Sequence, residues 1–155
     1  MSAAESPVDA ILFDFDGVVL DTVRFKESQF RAILAERIPE HLGPAMDYFW
    51  SHGGTSRVEK FRWIWAHIVG KPLGPGEAEA LGAEFARRVR DGVLACPFVP
   101  GAEEFLEKHH RNIPCYVISG TPQPELRDIV RTRGLDRFFR GVFRSEEHTS
   151  ELQSP

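Results

Sequence analysis

Asp14 and Asp16 stand two residues apart at the end of the apolar run Ala10-Ile11-Leu12-Phe13, within Asp14-Phe15-Asp16-Gly17-Val18-Val19-Leu20-Asp21-Thr22. In a strand, side chains i and i+2 share a face, so both carboxylates would project past the strand's carboxyl end. Ligands of open α/β sheets gather at that edge. One carboxylate can attack phosphorus and form an aspartyl phosphate. Its neighbour can pass a proton to the leaving oxygen and later take one from water. Gly17 lets the backbone turn close past a substrate. Residue types and spacing therefore point to phosphoryl transfer.

Read as DFDGVVLDT, these residues resemble the first signature of the haloacid dehalogenase superfamily, most of whose members are magnesium-dependent phosphatases. The resemblance implies Asp14 as nucleophile, Asp16 as general acid and base, and Mg2+ resting on Asp14 and Asp16. It also implies exclusions. True dehalogenases and phosphonate-cleaving relatives carry another residue where Asp16 stands, which leaves phosphate ester hydrolysis or phosphomutase action. A second stretch, Ile118-Ser119-Gly120-Thr121, puts a hydroxyl at a strand end and free amides at the start of the next helix, a cradle for a phosphate dianion. It matches the superfamily's second signature, with Ser119 and the Gly120 amide as phosphate ligands. The plainer reading is an ordinary helix cap.

The elements that must position these groups follow from periodicity. A first strand is expected over residues 8–14, and a long helical stretch without strands over 22–96. Phe25, Phe30, Ile33 and Leu34 mark one helix ending before Pro39, and a second runs from Pro44 to Trp50. Ser56 caps a third, with Phe61, Ile64, Trp65 and Ile68 on one face up to Gly70. A break at Lys71 to Gly76 precedes a fourth helix through Ala80, Leu81, Phe85 and Val89, which closes near Gly92. The α/β pattern then resumes: a turn at Val99-Pro100-Gly101, a helix over Ala102 to His110, and a strand over Pro114 to Ile118. Thr121 caps the next helix, Gly134 stops it, and a third strand begins at Gly141-Val142-Phe143. The fold class is α/β, a Rossmann-like parallel core of which the first three strands are present, with an inserted helical unit. The domain division is core over 7–21 and 97–143, helical cap over 22–96, and a non-native tail over 144–155. A helical insert after the first strand is similar to the cap of the phosphoglycolate phosphatase and β-phosphoglucomutase branch, and such a cap would exclude water and supply substrate contacts.

Within the insert, His52-Gly53-Gly54-Thr55-Ser56-Arg57 combines a flexible turn with a cation, and Arg57 is a candidate contact for a second anionic group of the substrate. The alternative is an exposed first-turn arginine. Lys60 is expected on a solvated face beside Glu59. Trp50, Trp63 and Trp65 are expected in the core, and His109 and His110 at the surface.

Composition sets the outer bounds. The 155 residues, 42% hydrophobic, suit a globular protein, and a net charge of −4 with scattered arginines gives no electrostatic case for nucleic acid. A small phosphorylated metabolite fits better. Cys96 and Cys115 have no metal-ligand spacing and are expected as reduced thiols. Residues 1–7 are polar and the first apolar run is short, so neither signal peptide nor membrane span is expected, and the expected location is the cytoplasm.

Two parts of the superfamily's machinery are not seen. The lysines are Lys26, Lys60, Lys71 and Lys108, all before Ser119, and no pair of adjacent acids on a strand follows Thr121. The family meets the repulsion between carboxylate and phosphate with such groups and with Mg2+, and the guanidinium of Arg127 or Arg140 is a poor replacement. The segment Arg144 to Ser154 reads residue for residue as a translated sequencing-library adapter. The expectation is the front two-thirds of a capped phosphatase, nearly inert by itself. A sugar phosphomutase and a non-catalytic binding module on the same fold are the alternatives.

Overall fold

The computed structural model describes residues 8–145, as two compact units, one built from residues up to Asp21 and from Cys96 onward, the other Thr22–Ala95. In the first unit, β1 (Ile11–Phe13) pairs in parallel with β2 (Cys115–Ser119), which pairs in parallel with β3 (Gly141–Arg144). The sheet order is β1-β2-β3. The fold is the α/β arrangement expected, with β1 shorter than 8–14 and β3 continuing through Arg144. Cys115 and Val117 are fully buried, as parallel strands require on a covered face. Phe13 meets Phe105 and Phe139 edge-on, ring centres 6.0 and 5.9 Å apart. Cys96 and Cys115 are buried and not joined by a disulfide.

The helices of the second unit are α1 (Val23–Arg37), α2 (Leu42–Ser51), α3 (Arg57–Ile64) and α4 (Glu77–Ala95). A 3-10 turn at Pro39–His41 joins α1 to α2. Ser56 and Glu59 form a reciprocal capping box at the start of α3. After Ile64 the chain widens into a π-helical turn, Trp65–Val69, closed by Gly70. The core is aromatic: Phe30 stacks on Phe61 at 4.5 Å and contacts Phe49 and Phe85. A salt clasp joins α1 to α4, with Arg88 on Glu36 at 2.6 Å and on Glu84 at 2.5 Å, and Arg37 on Glu84 at 2.5 Å.

Several expectations need correction. Helix α4 does not close near Gly92 but runs on to Ala95, and Gly92 lies against the Phe25 ring, which a Cβ there would meet. Trp50 and Trp63 are exposed, and Trp63 lies flat on Tyr48 with ring centres 3.8 Å apart. His109 and His110 are half-buried, the first against Phe105 and the second against Phe138. Lys60 is buried, its ammonium 4.3 Å from the centre of the Phe49 ring. Burial pushes that ammonium below its ordinary pKa.

In the first unit, α5 (Ala102–His109) leads into β2, and α6 (Gln123–Thr132) lies between β2 and β3. The buried residues of α6 are Leu126, Ile129 and Val130, the inner face its sequence pattern gives. The segment after Ser145, including most of the adapter-like stretch, lies outside the described residues.

Candidate active site

Past Phe13 the chain curls into a tight turn that buries Phe15, Val19 and Leu20 completely. The Phe15 carbonyl accepts from Val19 N at 3.0 Å, and Gly17, at φ 75°, donates to the Leu20 carbonyl at 2.8 Å. That left-handed conformation favours glycine. Three apolar anchors thus hold a turn whose remaining residues carry the acids. Asp14 is exposed, and its Oδ1 accepts the Phe15 amide at 2.7 Å. Asp16 is half-buried.

The way into and out of the helical insertion is stitched within the first unit. Val99 N donates to the Val19 carbonyl at 3.1 Å, and Asp21 N to the Pro97 carbonyl at 2.9 Å. These bonds tie the turn that carries Asp14 and Asp16 to the returning chain.

Beside β1, the register Phe13↔Val117 brings Ser119 to the carboxyl end of the neighbouring strand. Ser119 is buried, and its Oγ accepts the Thr121 amide at 3.1 Å. The Thr121 hydroxyl donates to Asp16 Oδ2 at 3.4 Å, a bond that links the two sequence signatures through their side chains. Thr121 was expected as a helix cap. The helix instead starts after Pro122, with no side-chain cap, and the Thr121 hydroxyl is turned to the acid. The sequence reading gave Thr121 no site role; a hydroxyl two residues past Ser119 at a strand end was the available signal. Gly120 is exposed on the same strand-to-helix turn.

Arg57 belongs to the other unit, at the first position of α3, with its guanidinium 5.5 Å from the centre of the Phe85 ring. It is half-buried and not the fully exposed first-turn arginine of the plainer reading. Among the described residues no group of three or more His, Cys, Asp or Glu side chains gathers as a metal site, and no helix is long and apolar enough to cross a membrane.

Residues 8–152 match the sequence pattern of the haloacid dehalogenase-like hydrolases. β-Phosphoglucomutase of Mycobacterium tuberculosis is 30% identical over 174 aligned residues, covering 96% of this chain and 65% of that protein. Two solved structures share the fold. CbbY from Rhodobacter sphaeroides, in complex with xylulose-1,5-bisphosphate, has 18% identity and a TM-score of 0.66 over 90% of this chain and 64% of its own. The hydrolase YfnB from Bacillus subtilis, bound to magnesium, has 17% identity and a TM-score of 0.63 over 92% and 67%. The chain thus spans about two-thirds of the length of the proteins it matches. With its pattern matched over nearly the whole chain, and an acid turn following the first strand of a parallel sheet, the protein belongs to the haloacid dehalogenase-like hydrolase family.

Proposed function

We infer that the chain carries the reacting groups of a phosphomonoester hydrolase acting on a small phosphorylated metabolite through an aspartyl phosphate at Asp14. One observation carries this: Asp14 and Asp16 follow the end of β1 beside Ser119 at the end of β2, with the Thr121 hydroxyl on Asp16. Acids, a hydroxyl and main-chain amides are thereby gathered at the carboxyl edge of a parallel sheet. The Phe15 amide donates to Asp14 Oδ1 and orients the carboxylate, one oxygen of which attacks phosphorus. As that bond forms, the ester P–O bond breaks and Asp16 protonates the leaving oxygen. Water then attacks the acyl phosphate, giving its proton to Asp16, and inorganic phosphate departs. Ser119 Oγ and the Gly120 amide hold the phosphoryl oxygens.

The oxygens here suit Mg2+ in kind: a carboxylate from Asp14 and the main-chain carbonyl of Asp16. Bound there, the ion would offset the repulsion between Asp14 and an anionic ester. The helical unit is the substrate-selecting cap in this reading, with Arg57 as the contact for a second anionic group. A phosphomutase is the second reading, supported by the 30% identity to β-phosphoglucomutase. It uses the same residues and returns the phosphoryl group to the sugar.

The described residues bring no third metal-capable acid, and the lysines precede Ser119, so the 155-residue chain alone is expected to be nearly inert. The test joins it to the stretch of the mycobacterial relative that it does not span and follows phosphate release from sugar phosphates with Mg2+ present. Release that Asp14→Asn abolishes supports the hydrolase. Conversion of hexose 1-phosphate to hexose 6-phosphate without net phosphate release supports the mutase. No turnover of any phosphate ester counts against both.

A further inference from the structure

The helical unit holds a cavity of about 720 Å3 lined by no residue given a part in phosphoryl transfer. Small-molecule sites commonly measure about 300–1,000 Å3. The cavity opens between the end of α1, the π-helical turn and the first half of α4. Trp65 begins that turn, and its carbonyl accepts from Gly70 N and, at 3.0 Å, from Lys71 N. Widened turns of this kind recur at functional sites. Half-buried Trp65, in edge contact with Phe61 at 6.2 Å, forms an apolar wall with Leu73, Ala80 and Leu81. Four charged side chains stand around this wall: Arg37, Glu77, Glu84 and Arg87. Three of them are engaged. Glu77 Oε2 accepts the Gly74 amide at 2.6 Å, and Glu84 accepts from Arg37 and Arg88, each at 2.5 Å. Arg87 makes no hydrogen bond, ion pair or ring contact with the described residues. Ala80, Glu84 and Arg87 share one side of α4. Gly82, against which Val58 and Arg57 pack, is on the opposite side, so the cavity is not the place assigned to the second anionic group of the substrate.

We propose that this cavity binds a small aromatic carboxylate, with the ring against Trp65 and the carboxylate on the Arg87 guanidinium. A flat ring matches an indole wall flanked by aliphatic side chains. A guanidinium presents a planar fork to the two oxygens of a carboxylate. Charge favours a carboxylate over a phosphate ester. The lining carries two cations and two carboxylates, so a monoanion meets the one guanidinium that the described residues leave uncommitted. A phosphate dianion would bring a second charge with no matching cation, close to Glu77 and Glu84. The ligand is therefore chemically distinct from the phosphorylated metabolite of the catalytic reading.

The probe is 2-naphthoate, titrated into the full 155-residue chain while the indole N–H resonances, assigned with Trp50→Phe, Trp63→Phe and Trp65→Phe, are followed by NMR. A saturating shift at Trp65 with a Kd below about 1 mM is expected, and neutral 2-naphthamide should bind at least about tenfold more weakly. Arg87→Gln changes an exposed side chain, so the circular dichroism should hold while naphthoate binding weakens at least about tenfold. A Kd above about 1 mM, or no saturation, overturns the proposal. Comparable binding of 2-naphthamide, measured on the unaltered chain, overturns it as well, as does unchanged affinity in Arg87→Gln. Tighter binding of 2-naphthyl phosphate refutes the choice of carboxylate, and shifts confined to the exposed Trp50 or Trp63 refute the cavity as the site. None of these readouts involves phosphoryl transfer, so their failure is distinct from failure of the catalytic reading.

Discussion

Thr121 and Lys60 show how far a residue's type can mislead about its work. Thr121 looked like a helix cap, yet its hydroxyl donates to Asp16 Oδ2, the carboxylate to which the proposed mechanism assigns the proton transfers. Thr121→Val is expected to lower kcat of the joined protein about tenfold with KM little changed, because orientation of the acid and not substrate binding is lost. Steady-state kinetics on a hydrolysed sugar phosphate check this. Lys60 carried a charge and was read as solvated, although it lies four residues before Ile64 on the buried face of α3. The helical phase was legible; the charge outranked it. Burial lowers the Lys60 pKa, so just below its ordinary value of 10.5 the unfolded chain binds more protons than the folded one. Stability should therefore rise with pH as that value is approached. Lys60→Met is expected to remove this rise and to stabilise the helical unit at neutral pH by about 1 kcal/mol, offset in part by the lost contact with Phe49. Denaturant titrations across the alkaline range measure both. The placement of Asp14 and Asp16 just past β1, by contrast, was legible because they follow directly on its apolar run.

At the scale of elements, local signals located the helices well. The capping box of Ser56 and Glu59 begins α3 where the sequence placed it, and Ser56→Ala is expected to cost about 1 kcal/mol in urea unfolding. Gly92 was misread as a stop because a glycine in a helix has two explanations, an end or a close approach. Only the fold reveals the Phe25 ring against it. Gly92→Ala should destabilise the helical unit by about 1–3 kcal/mol through overpacking, seen as a lower melting temperature, and the double variant with Phe25→Leu should recover part of the loss. The three strands were found in order, but the length of β1 was not. Its pairing with β2 extends over Ile11–Phe13, and the apolar pattern beyond those residues says nothing about where a ladder ends.

For the whole molecule, the division into an α/β unit and a helical insertion was visible as a change of period, from strand-like runs to helical spacing and back after Pro97. The order of the strands in the sheet was not visible, since pairing between strands is a long-range property. The central claim nevertheless rests on one oxygen of Asp14. It is tested most directly by supplying the joined protein with Mg2+ and a phosphate ester, quenching in acid, reducing with borohydride, and sequencing the peptide around residue 14 by mass spectrometry. A reduced acyl phosphate at Asp14, absent from Asp14→Asn, is the result predicted. Turnover of the ester with an unmodified Asp14, or turnover that persists in Asp14→Asn, would contradict it.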